Sequence, residues 1–138
     1  MNKKSNTVFE IIKPFLVYWA ACITYLIFGN WSVSGANISA CLIYLIGGIS
    51  CGYFMNFKKG APGIILLSIQ LIICVFIPWT TDLTRNISQL GNIFITLFDF
   101  WLWNEKYSIP VKTLSIIIPI AVILIGKWLK SINKKQAE

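Results

Sequence analysis

A carboxylate at Asp99 closes a row of polar residues, Arg85, Ser88, Gln89, Asn92, Thr96 and Asp99, that recurs mostly at three- and four-residue steps. That is the period of one helix face. A wet stripe ending in an acid could pass protons or cations across a membrane if its helix enters the bilayer, because coupled transport usually needs a buried ionisable group. Ile87, Leu90, Phe94, Leu97, Phe98 and Trp101 fall on the other face. A helix with one wet and one greasy face suits a position flat on the membrane surface. The segment of about 83–103 is therefore expected to be an amphipathic interfacial helix. The alternative is a re-entrant or inserted helix whose stripe faces the interior of a bundle. On the surface, Asp82, Asp99 and Glu105 are solvated acids rather than a working carboxylate pair. Thr81 or Asp82 can cap the helix, and Asp82 can pair with Arg85 three residues on.

Two other residues are candidates for a polar path. Gln70 lies in the middle of an apolar block, where an amide in lipid needs a partner. Thr24, Ser50 and Ser115 are the candidates, and an interhelical hydrogen bond is the plainest role. Pro119 follows Ile116-Ile117-Ile118; it removes one backbone hydrogen bond and kinks its helix. Better packing explains such a kink more simply than a gate.

Most other chemistry is excluded by what the chain lacks. There is no histidine, which removes the commonest general base and the usual zinc ligand. Cys22, Cys41, Cys51 and Cys74 lie inside apolar blocks with no C-x-x-C pair, and read as small packing residues. A Cys41–Cys74 bridge has no support from spacing. No nucleophile–base pair, phosphate loop or metal cluster appears. No catalytic residue, cofactor or metal ion is expected, and the chain is read as non-enzymatic.

The elements that would position these residues are set by composition. Hydrophobic residues make up 57% of the 138 and charged residues 12%, against about 25% charged in soluble domains. The apolar residues come in blocks long enough to cross a bilayer, which needs roughly 20 residues. The expected fold is an all-α integral membrane protein forming one bundle. Its four transmembrane helices are expected at about 12–31, 38–57, 63–79 and 111–129, with the amphipathic helix between the third and fourth. The second carries Gly48-Ile49-Ser50-Cys51-Gly52, a G-x-x-x-G, with Gly47 beside it and Ala40 and Ala36 on the same ridge. Small residues let helix backbones approach closely in lipid. This seam serves either the chain's own bundle or a second protein.

The basic residues orient the bundle. Net charge is +7, and eleven of the twelve basic residues are lysine. A nucleic-acid reader would carry more arginine, so the expected partner is anionic lipid headgroup. With both termini cytoplasmic, Lys3, Lys4, Lys13, Lys58, Lys59, Lys127, Lys130, Lys134 and Lys135 lie inside, and Arg85, Lys106 and Lys112 outside. A fifth crossing at 87–103 would weaken that bias to seven against five. Lys3 and Lys4 resemble the n-region of a signal peptide, Phe15–Phe28 its apolar core and Ser34-Gly35-Ala36 its cleavage site, but the core is long and aromatic, and the first block is expected to stay as a span. Trp31, Trp79, Trp101, Trp103 and Tyr107 form the outer aromatic belt, and Tyr18, Trp19, Tyr53 and Trp128 the inner one.

The four-span layout is shared by unrelated groups, from small exporters to immunity proteins, and does not choose a function. The expectation is a small membrane protein acting by helix–helix or surface contact with a protein partner or a second copy, as an accessory subunit or immunity-type protein does. The alternative is a transporter or translocase of a small solute or lipid-linked group, with Asp99, Gln70 and Pro119 along its path.

Overall fold

The computed structural model describes residues 6–29, 33–77, 80–94 and 109–136; the side chains of residues 29, 33–37, 85, 88, 89 and 109–111 also fall outside the description. Among the described residues every regular element is helical. The elements are α1 (Thr7–Gly29), α2 (Val33–Phe54), α3 (Phe57–Phe76), α4 (Asp82–Gly91) and α5 (Ile109–Gln136). Three of them, over Thr7–Phe28, Phe57–Phe76 and Lys112–Gln136, are long and apolar enough to cross a membrane; α2 contributes a shorter apolar run, Ile38–Phe54.

Each long helix buries one face and leaves apolar side chains on the other. On α1 the buried face is Glu10, Pro14, Tyr18, Ala21 and Cys22, while Val8, Ile12, Leu16, Ile23 and Ile27 are exposed. On α3 it is Gly60, Gly63, Leu67, Leu71, Cys74 and Val75, with Ile65, Ile69, Ile73 and Phe76 exposed. In water such exposure would be severely unfavourable. In hydrocarbon it costs nothing, because lipid tails are as apolar as leucine.

Helix α1 packs chiefly on α2 and α3, and α2 packs on α1 and α5. Glycines set the close crossings. A Cβ on Gly52 would run into the Ile123 carbonyl, and one on Gly126 into the Ile49 carbonyl, so α2 and α5 meet backbone to backbone. A Cβ on Gly48 would stand 2.7 Å from Val122 Cγ1. Gly63 meets the Ile11 carbonyl in the same way where α3 crosses α1. Helices α3 and α5 approach each other less closely.

The turns show why the helices start where they do. Asn6 caps α1, its Oδ1 accepting from Val8 N–H at 3.1 Å. Asn56 caps α3, with Oδ1 accepting from Lys58 N–H at 3.2 Å. The turn between α2 and α3 is thereby only Met55 and Asn56, and Lys58–Pro62, which the expected spans 38–57 and 63–79 leave between them, lies inside α3. At its other end α3 stops at Ile77, which is extended at φ −67° and ψ 119°, the conformation imposed on a residue preceding proline. Glu10, 4% exposed, ties α1 to the short turn: Oε2 accepts from Asn56 N–H at 2.8 Å, and Oε1 pairs with Lys13 Nζ at 2.6 Å.

The same contacts gather the lysines. Lys127 Nζ lies 4.5 Å from the centroid of Phe57, and Asn133 Nδ2 donates to the Tyr53 hydroxyl at 3.2 Å. The start of α1, the α2–α3 turn and the end of α5 therefore share one end of the bundle. It carries Lys13, Lys58, Lys59, Lys127, Lys130, Lys134 and Lys135. Lys112 lies at the opposite end, 5.9 Å from the Phe76 ring centroid.

Candidate functional site

Apart from Glu10, the buried polar residues, Asn92 and Ser115, meet at Leu90–Phe94. Helix α4 opens with a reciprocal cap. Thr84 N–H donates to Thr81 Oγ1 at 3.2 Å, and Thr81 N–H to Thr84 Oγ1 at 3.1 Å, so Thr81 is the cap and not Asp82. Its first turns are at the surface, with Leu83 69% and Ile87 47% exposed. The helix then ends at Gly91, breaks at Asn92 and resumes for Ile93–Phe94, and Gly91, Asn92, Ile93 and Phe94 are all buried.

This changes the expectation of one continuous two-faced helix over 83–103. Asn92 from the polar stripe and Phe94 from the greasy face are both inside the bundle, because the break at Asn92 ends the period that separated them. Residues 95–108 lie outside the described residues, and so do Asp99, Trp101 and Trp103. The side chains of Arg85, Ser88 and Gln89 do as well.

A helix broken inside the bundle needs other partners for its freed backbone groups; α1 and α3 supply them, and α5 takes the Asn92 side chain. From α1, the Tyr18 hydroxyl donates to the Leu90 carbonyl at 3.3 Å and accepts from Ile93 N–H at 3.1 Å. Cys22 Sγ donates to the same carbonyl at 3.3 Å. From α3, Gln70 Nε2 donates to the Gly91 carbonyl at 3.3 Å, and a Cβ on Gly91 would collide with Cys74 Sγ. From α5, Ser115 receives the Asn92 side chain: Nδ2 lies 3.3 Å from both the Ser115 carbonyl and its Oγ.

The contact with Ser115 follows from Pro119. A proline has no N–H for the carbonyl four residues earlier, which here is that of Ser115. Asn92 supplies a donor to it. Tyr44 of α2 serves the next turn, its hydroxyl donating to the Pro119 carbonyl at 3.1 Å. The rings fill the space between. Tyr44 meets Phe94 edge-on at 5.2 Å and Tyr18 at 5.9 Å, favourable geometry for aromatic pairs.

One atom stands out. Asn92 Oδ1 is buried and has no hydrogen-bond partner among the described residues. The Ser115 carbonyl can only accept, so the amide must present Nδ2 to it, which fixes where Oδ1 points.

Of the residues singled out by sequence, Gln70 and Pro119 belong to this cluster. The partner of Gln70 is the Gly91 backbone rather than Thr24, Ser50 or Ser115; Thr24 bonds within its own helix, to the Ala20 carbonyl at 3.0 Å. Gly48 and Gly52 face α5, Gly47 faces Val17 of α1, and Ala40 is buried in the core. Trp128 is exposed near the lysine-rich end, whereas Trp31 and Trp79 lie outside the described residues. Tyr18, expected in the inner belt, is fully buried among the helices. Its position, the twelfth residue of the 23 in α1, places it midway along that helix, away from either end. All four cysteines are free. Among the described residues no group of His, Cys, Asp or Glu is placed to hold a metal ion. What the arrangement does chemically is hold backbone in place. Comparison with protein-family models, curated proteins and solved structures finds no match for this chain.

Proposed function

We propose that the chain is a non-enzymatic membrane protein of four spans that acts by surface contact with a protein partner, presented by α4. The second span is the whole of α2, whose 22 residues are enough for a crossing. Leu90–Phe94 is a re-entrant segment entering from the end opposite the lysines. The lysine-rich end is cytoplasmic by the positive-inside bias, so both termini are cytoplasmic and α4 is outside.

The observation that supports partner contact is the way α4 is mounted. Its C-terminal end is clasped by α1, α3 and α5, while Leu83 and Ile87 remain exposed on its first turns. A rigid helix carrying outward apolar side chains binds at a low entropy cost. The glycine ridge of α2, by contrast, is engaged by α1 and α5, which favours α4 over α2 as the contact surface. The test is purification in mild detergent from the native host. A stoichiometric partner should accompany the wild-type protein and be lost in a Leu83→Lys/Ile87→Lys variant that keeps its unfolding temperature. Recovery of the wild type as a lone bundle would sink this reading, as would retention of the partner by the double variant.

Transport of a small solute is the second reading, favoured by the unpaired Asn92 Oδ1 beside a helix break. Transporters place such breaks at their binding sites. In reconstituted vesicles, Asn92→Leu and Asp99→Asn should then each abolish uptake.

A further inference from the structure

We propose that the gap between α3 and α5, at the end opposite the lysine cluster, binds one anionic phospholipid. The gap has a structural cause. Gln70 and Cys74 of α3 rest on Gly91, and Ser115 of α5 holds Asn92. The inserted segment thus stands between the two helices and keeps them apart. Beside it, Val75, Phe76, Lys112, Thr113, Ile116 and Ile117 line a half-open groove of about 320 Å³.

The lining is graded as an amphiphile requires. Lys112 and Thr113 sit toward the start of α5, and Ile116 and Ile117 one turn deeper along the membrane normal. Val75 is buried, whereas Phe76 and Ile117 are exposed to the surroundings, so an acyl chain can lie against them from the bilayer.

Two observations set the sign of the headgroup. The Lys112 ammonium is held over the Phe76 ring at the groove. It also lies within four residues of the start of α5, so the positive end of the helix dipole adds to the lysine's attraction for a phosphate. This site is separate from the lysine-rich end and does not depend on a protein partner.

Native mass spectrometry from detergent tests the proposal, with dioleoyl phosphatidylglycerol and dioleoyl phosphatidylcholine offered in equal amounts. The wild type should retain one phosphatidylglycerol in preference by about fivefold, the weight of one lysine at an anionic surface. Lys112→Gln should remove the preference. Ile117→Trp, which fills the groove, should remove the retained lipid whichever headgroup it carries. Lys130→Gln, at the other end, should change neither. Unchanged retention in both groove variants would overturn the proposal. So would an equal loss in Lys130→Gln, which would place the lipid on the lysine cluster. A dimer that Ile117→Trp abolishes would assign the groove to a second copy and overturn it too. Lys112→Gln alters charge with little change of shape, so the test stands even if the tryptophan variant fails to fold.

Discussion

The Tyr18 hydroxyl holds two backbone groups of the inserted segment at once, whereas the Tyr44 hydroxyl holds one carbonyl. Interhelical hydrogen bonds in membranes are worth about 0.6 kcal/mol on average and at most about 1.7. Tyr18→Phe should therefore destabilise the bundle by about 1.5 kcal/mol and Tyr44→Phe by about 0.6 kcal/mol, read from unfolding midpoints in mixed micelles. Equal effects would mean that the Tyr18 contacts carry no special weight. Asn92 gives a sharper contrast in the same assay. Asn92→Asp removes the donor to Ser115 and sets a carboxyl oxygen against its carbonyl, so it should cost at least about 2 kcal/mol. Asn92→Leu leaves the Ser115 carbonyl without that donor but also removes the unpaired acceptor. It should cost less, about 1 kcal/mol, because removing the unpaired acceptor offsets part of the cost of the stranded carbonyl. A larger loss for Leu than for Asp would refute this account of Oδ1.

At the level of helices, the α2–α5 crossing is the least forgiving contact. Gly52→Ala would drive a methyl group into the Ile123 backbone, and backbone cannot turn aside as a side chain can. A loss of about 3 kcal/mol or failure to assemble is expected, since even ordinary overpacking costs about 1–3 kcal/mol. Gly47→Ala meets only the Val17 side chain, at 2.8 Å, and should cost less than about 1 kcal/mol. Thermal aggregation in detergent compares the two directly. The long helices were legible because block length and lysine position need only composition to be read. The glycine ridge was legible as a ridge, but the surface it meets was not, since G-x-x-x-G looks the same whether its partner is α5 or another chain. The clasp was largely hidden. Asn92 fits a three-to-four residue polar period, and nothing in that period signals the break that carries it inward. Tyr18 and Tyr44 are amphipathic enough to pass for belt residues or packing. Pro119 was visible, but not that the carbonyl it frees would find its donor in Asn92, 23 residues earlier.

Taken as a whole, the molecule has one strongly basic end and one weakly charged end. Single cysteines at Lys58 and Lys134 should be labelled from the cytoplasmic side of oriented vesicles, and one at Thr80 or Asp82 from the other side, with the four native cysteines replaced by alanine. Labelling of all these positions from one side would overturn the four-span arrangement. The clasp also bears on how the chain is made. Tyr18 and Gln70 emerge from the ribosome before Leu90–Phe94, but Ser115 and Pro119 emerge after it. Early segments settle first during synthesis, so the first three helices must wait with an incompletely held segment between them until the last helix arrives. A nascent chain stopped before residue 109 should be cleared quickly by membrane proteases, and co-expression of α5 as a separate peptide should prolong its life. A stopped chain as long-lived as the full one would show that the segment needs no late partner. By this expectation α5 acts as a checkpoint for the helices before it, and a chain stopped short of it is marked as unfinished by its own interior.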